Sequence, residues 1–126
     1  MMVLSSRIAA SMALAALLAV SMPIFTAQAQ TQAQTDAALL DLSEILGALA
    51  HLEDICAKGD GSRTDMEALL ASEELTPVRQ SVLIDSFNRG FRNVAVTHQR
   101  CTSASERLIE RHHERGGEII SGLLGE

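Results

Sequence analysis

From Asp36 to Ala57 the apolar residues fall at Leu39, Leu42, Ile45, Leu46, Leu49, Leu52, Ile55 and Cys56, a three-and-four spacing that marks one face of a helix. Lys58-Gly59-Asp60-Gly61 follows, and its two glycines are expected to stop that helix. A short second helix, capped by Ser62 or Thr64, is expected through Met66, Leu69 and Leu70. Thr76-Pro77 predicts the start of a third, because a threonine oxygen accepts from the free N–H groups of a first turn and proline suits the first helical position. That helix is expected to run to about Arg100, and its stripe is Leu83, Phe87, Phe91, Val94, His98 and Cys101, with Gly90 beside the two phenylalanines. Thr102, or the capping pattern Ser103-x-x-Glu106, opens a fourth helix whose apolar face is Leu108, Ile109, His112, Gly116, Ile119, Ile120 and Leu123. The fold class predicted is therefore all-α, a small bundle of three longer helices and one short one.

The chain ahead of these helices follows a different pattern. Met1 to Arg7 carries one basic side chain, Ile8 to Val20 is apolar apart from Ser11, and Ala27-Gln28-Ala29 places small residues two apart. That is the three-part plan of a secretory signal peptide. Pro23 interrupts the apolar run short of the roughly 20 residues that a spanning helix needs. The expected organisation is a signal peptide over 1–29, a flexible spacer of Gln, Thr and Ala over 30–35, and a helical domain over 36–126. Cleavage after Ala29 predicts a periplasmic or secreted protein with no stable membrane span, and retention of the segment as an anchor is the alternative.

Export bears directly on the two cysteines, since thiols outside the cytoplasm are expected to oxidise. Cys56 and Cys101 each sit at the C-terminal end of a core-facing stripe. A disulfide between them places the first and third helices side by side and in the same direction, with the short second helix carrying the chain back. Closing a loop of that length is worth about 4 kcal/mol in the chain-entropy model, a large share of the stability of so small a domain.

Charge then narrows the partners. All 16 acidic residues lie after position 29 and nine of the 10 basic ones do, so the helical part carries a net charge of -7. Nucleic acid, whose phosphates demand basic surface, is set aside. Only Phe87 and Phe91 remain as aromatics beyond the signal, too few to stack successive bases.

Four separated blocks carry a family resemblance: Ser43-Glu44-Ile45-Leu46-Gly47-Ala48-Leu49 leading to Leu52 and Cys56; Met66 with Leu69-Leu70; Phe87-Asn88-Arg89-Gly90-Phe91-Arg92; and Cys101-Thr102 followed by Ala104 and Glu106. In these the chain resembles an uncharacterised family of small exported alphaproteobacterial proteins with two well-separated cysteines, a domain of unknown function. The resemblance covers nearly the whole helical domain and implies an exported helical fold with a disulfide. It carries over no catalytic residues. His51, Phe91, Val94 and His98 stand in or near positions where relatives are expected to be richer in aromatics.

The most suggestive chemistry is the block around Gly90, because glycine inside a helix costs about 1 kcal/mol relative to alanine and usually has a packing reason. Arg89 and Arg92 are candidates to bind an acidic group, with Asn88, Phe87 and Phe91 as neighbours in a candidate binding site. The competing reading is that Gly90 admits a neighbouring helix and the arginines pair with the acidic first and second helices. His98, His112 and His113 lack the convergent short-spaced ligands of a zinc site, so no metal and no cofactor is expected. On the fourth helix Arg107, Arg111 and Arg115 stand three residues before Glu110, Glu114 and Glu118, the spacing of surface ion pairs. No phosphate loop, nucleophile elbow, C-x-x-C or haem-attachment pattern occurs. With no catalytic residues in view, the expected function is a non-enzymatic periplasmic module that binds a protein or envelope component, such as an unknown envelope protein, through a helical surface. The alternative is a carrier of a small acidic or lipid-like ligand in an apolar cavity, and the third reading is a metal-dependent enzyme using His98 or His112.

Overall fold

Burial on the first helix is not confined to one face. Leu42, Leu46, Ala48, Leu49, Ala50 and Leu52 are buried, and so are Ser43 and Glu53. A helix covered nearly all round is a central helix, and the computed structural model shows why. It describes residues 24–72 and 74–126, with side chains from residue 31 onward, and these form α1 (Ile24–Cys56), α2 (Gly61–Leu70), α3 (Pro77–Thr97) and α4 (Ser103–Leu124). No strand occurs among the described residues. Each of the other three helices packs against α1.

α1 begins within the segments expected as signal and spacer. Residues 30–35 continue the helix without a break. Alanine and glutamine are good helix formers, Gln32 donates to Asp36 at 2.9 Å, and the Thr35 hydroxyl donates to the Thr31 carbonyl at 3.0 Å. Of the expected export signal, residues 1–23 lie outside the described residues and 24–29 belong to α1.

α1 ends at Cys56, just ahead of the expected glycines. Ala57 takes the left-handed conformation at φ 52°, and the Lys58 N–H donates back to the Glu53 carbonyl at 2.9 Å. This is the hydrogen bond of a Schellman cap, usually built on glycine. Ala57 bears the steric cost that glycine avoids, about 1–2 kcal/mol.

α2 begins at Gly61 and its N-cap, Asp60, makes no side-chain cap. The cap comes instead from α1. Buried Glu53 accepts from the Ser62 N–H at 3.1 Å and from the Ser62 hydroxyl at 2.7 Å, so a carboxylate sits where the helix dipole favours one. α3 starts at Thr76-Pro77 as predicted, with the Thr76 oxygen accepting from the Arg79 N–H. α4 resolves the open choice of cap in favour of Thr102, which forms a capping box with Ser105.

α1 and α3 run in the same direction and in register. Arg79 pairs with Asp36, Ser86 donates to the Leu40 carbonyl, Arg89 pairs with Glu44, His51 bonds the His98 carbonyl, and Cys56 joins Cys101. The separations along the chain are 43, 46, 45, 47 and 45 residues, a near-constant offset that only parallel neighbours keep.

Midway along this seam the backbones touch. A Cβ on Gly47 would lie 2.7 Å from the Phe87 carbonyl carbon, and one on Gly90 would lie 2.8 Å from that of Glu44. Each glycine thus receives the backbone of the residue three before the other glycine, close enough for Cα–H···O contact. The Gly90 block has its packing reason here. The core of Leu42, Leu46, Met66, Leu83 and Ile119 lies among the four helices, with Phe87 and Leu123 against it.

Candidate functional site

The disulfide closes the C-terminal end of the α1–α3 seam, with Cα atoms 4.9 Å apart. Around it lies a hydrogen-bonded corner. The His51 Nε2–H donates to the His98 carbonyl at 2.6 Å, and His98 Nδ1 stands 3.2 Å from the Ser105 hydroxyl. Ser105 also donates to the Arg100 carbonyl and accepts from the Thr102 N–H, each at 3.2 Å. The Thr102 hydroxyl also lies 3.2 Å from Ser105 Oγ, so this one oxygen, with one proton and two lone pairs, is shared among His98, Arg100 and Thr102. Ser105 is wholly buried, and a nucleophile must be reachable. This serine–histidine contact ties α1, the α3–α4 connection and α4 together.

The candidate binding residues of α3 do not converge. Phe87 and Asn88 line a cleft of about 270 Å³ towards α2, with Arg63, Met66, Glu67, Leu70 and Ile84. Phe91 is held between two side chains, edge-on to His51 with ring centroids 5.1 Å apart and under the Arg63 guanidinium at 5.7 Å. Arg63 is fixed in turn by a two-pronged pair with Asp54 at 3.1 and 2.8 Å. Arg89 points the other way, donating to Glu44 at 2.8 and 3.1 Å and to Ser86 at 3.0 Å. The hydrogen bond to Glu44 and then its charge raise the guanidinium pKa further. Arg92 is exposed and forms no ion pair among the described residues. A single acid-binding site built from Phe87, Asn88, Arg89, Phe91 and Arg92 is therefore not what the helix presents. Phe87 and Asn88 lie towards α2, Phe91 sits between His51 of α1 and Arg63 of α2, and Arg89 turns to Glu44 on α1.

A different feature emerges on the side of α1 away from α2. α3 and α4 both rest on α1 but leave the sector between them open, a groove of about 320 Å³. Its floor is Ile45, Ala48, Gly90 and Val94, and its polar rim is Asp41, Glu44, Asn93, His112 and Arg115. A second hollow of about 570 Å³ continues from it along α1 and α4 between Thr31 and Leu123, and the two share Asp41 and Arg115. Asp41, Asn93 and Arg115 carry no sequence pattern that marks them as a group. The legible signal is the run of small residues, Gly47 and Ala48 on α1 and Ser86 and Gly90 on α3, which brings the helices together and keeps the floor shallow.

His112 is half-buried in this groove, and burial first, then the charges of Arg111 and His113, hold its imidazole below the usual histidine value. His113 is exposed, as expected for an adjacent position. Of the three ion pairs expected on α4, only Arg115–Glu118 forms, at 3.2 Å, while Glu106 turns to Lys58 at 3.8 Å. Among the described residues no three His, Cys, Asp or Glu side chains come together to hold a metal ion, and no helix is long and apolar enough to cross a membrane.

Searches of curated proteins and of solved structures return no match to the chain. A family model does match, over residues 35–125, and takes in all of α2, α3 and α4 with the bundled part of α1. By that match the chain belongs to the family described as protein of unknown function DUF2385.

Proposed function

We propose that the protein is an exported, non-enzymatic interaction module that holds a segment of another envelope protein in the groove between α3 and α4. The observation that carries this reading is the uncovered sector of α1, an apolar floor with a polar rim. Small recognition grooves combine those two properties, the floor for affinity and the rim for register. Export rests on the three-part N-terminal pattern and agrees with a disulfide that an oxidising compartment would maintain. The carrier reading has less support, because the hollows lined by α1, α3 and α4 and by α2 and α3 are open to solvent rather than enclosed, and a carrier site buries most of its ligand.

The test is site-specific photocrosslinking in the native host. A photoreactive residue at Asn93, on the groove rim, is expected to give one protein adduct in the periplasmic fraction, while the same residue at exposed Asp65 on α2 gives none. Equal adducts from both positions, or recovery of the protein in the cytoplasm, would overturn the reading.

A further inference from the structure

We infer that the occupant of this groove is a basic amphipathic segment of a partner protein, one that sets a lysine or arginine against Asp41; the inference rests on the interaction-module reading above. The groove is long enough for a helix. From Thr31 to Ala48 it follows α1 for about 26 Å at 1.5 Å per residue. Its floor of Ile45, Ala48, Gly90 and Val94 offers an apolar segment a surface to rest on.

The sign of the partner follows from which charges are already answered. Glu44 is paired with Arg89 at 2.8 Å, and Arg115 is paired with Glu118 at 3.2 Å. His112, with its pKa lowered chiefly by burial and then by the charges of Arg111 and His113, favours its neutral form. Asp41 is exposed and has no ion-pair partner among the described residues. It stands where the two hollows meet, so any segment lying along the groove passes over it. The wider surface adds to this, because 16 acidic residues against nine basic ones from Gln30 onward draw cations towards the protein at long range. A basic segment answers both the local and the global charge.

The experiment uses three synthetic amphipathic helical peptides of equal hydrophobicity, with a lysine, glutamine or glutamate polar face and one tryptophan each. The protein has no tryptophan or tyrosine, so the change in peptide fluorescence is read without background. The lysine peptide is expected to bind, with affinity falling as salt rises. Asp41→Asn, at an exposed and unpaired position, is expected to weaken it roughly fivefold, and Asn93→Phe, which plugs the groove from the rim, to abolish binding while circular dichroism shows an unchanged fold. Equal binding of the glutamine or glutamate peptide, with no effect of Asp41→Asn, would overturn the basic partner and leave the groove reading standing. Binding of no peptide, or binding untouched by Asn93→Phe, would overturn both. Self-association of the protein that Asn93→Phe dissolves would put a second copy in the groove and likewise overturn the inference.

Discussion

The two long seams of α1 are built on different terms. Against α3 the contact is parallel, in constant register, and closes to backbone distance at Gly47 and Gly90, with no room for a methyl group at either. Against α4 it is antiparallel, and there Gly116 faces Ile45 and Leu42 at 3.8 and 3.9 Å, ordinary side-chain distance, while Gly117 meets nothing. Gly47, Gly90, Gly116 and Gly117 look alike in a sequence, yet only the first two sit where a methyl group would strike backbone. The α1–α3 seam is thus specified by shape, and the α1–α4 seam by apolar burial that tolerates change.

The sharpest way to break this contrast is to add one carbon to each side of the tight seam. Gly47→Ala with Gly90→Ala is expected to cost more than about 3 kcal/mol per site, since overpacking here strikes backbone rather than a movable side chain. Far-ultraviolet circular dichroism should find no cooperative melting transition in the double variant; a native-like melt would show that the helices part without penalty. Next in size is the covalent end of the same seam. Reduction, or Cys56→Ser with Cys101→Ser, should remove about 4 kcal/mol and lower the melting temperature by roughly 20 °C. If the thiols of the unreduced, denatured protein react with a thiol reagent, the bond is not there.

The α1–α4 seam should answer with the opposite sign. Gly116→Ala is expected to be neutral or to raise stability by up to about 1 kcal/mol, because helix propensity improves and the new methyl enters ordinary contact. A loss above that size in urea titration would mean this seam is as exacting as the other. The smallest effect is a pH dependence. His112 has a depressed folded pKa, so the unfolded chain takes up its proton more readily; stability is full above the ordinary value of about 6.5 and falls as pH drops through it, levelling only below the folded value. The midpoint shift between pH 7.5 and pH 5.5 should shrink in His112→Asn, and an unchanged shift would remove His112 as its source.

Much of this was legible in the chain. Hydrophobic spacing gave four helices, Thr76-Pro77 and Thr102 gave two of their starts, and the positions of Cys56 and Cys101 gave the parallel pairing. What was illegible has physical causes. The periodicity of α1 shows a single apolar face, whereas Ser43, Gly47, Ala48 and Ala50 are buried because small residues admit close neighbours without registering as hydrophobic. Ala57 stops α1 because the Lys58–Glu53 hydrogen bond outweighs the steric preference that pointed to Gly59. Arg89 looked like a ligand for an acid and has one, supplied within the chain by Glu44. The groove escapes one-dimensional reading entirely, as Asp41, Asn93 and Arg115 are brought together only by the sector that α3 and α4 leave bare.

Two cysteines admit a single intramolecular pairing, and the chain has no third cysteine. A polypeptide with four or six must search among isomers and often needs an enzyme to reshuffle wrong ones. This one has no wrong isomer within itself. Once the second sulfur is presented to an oxidant, the reaction is either productive or joins two molecules, so its yield should depend on how dilute the chain is kept and not on any catalyst of exchange.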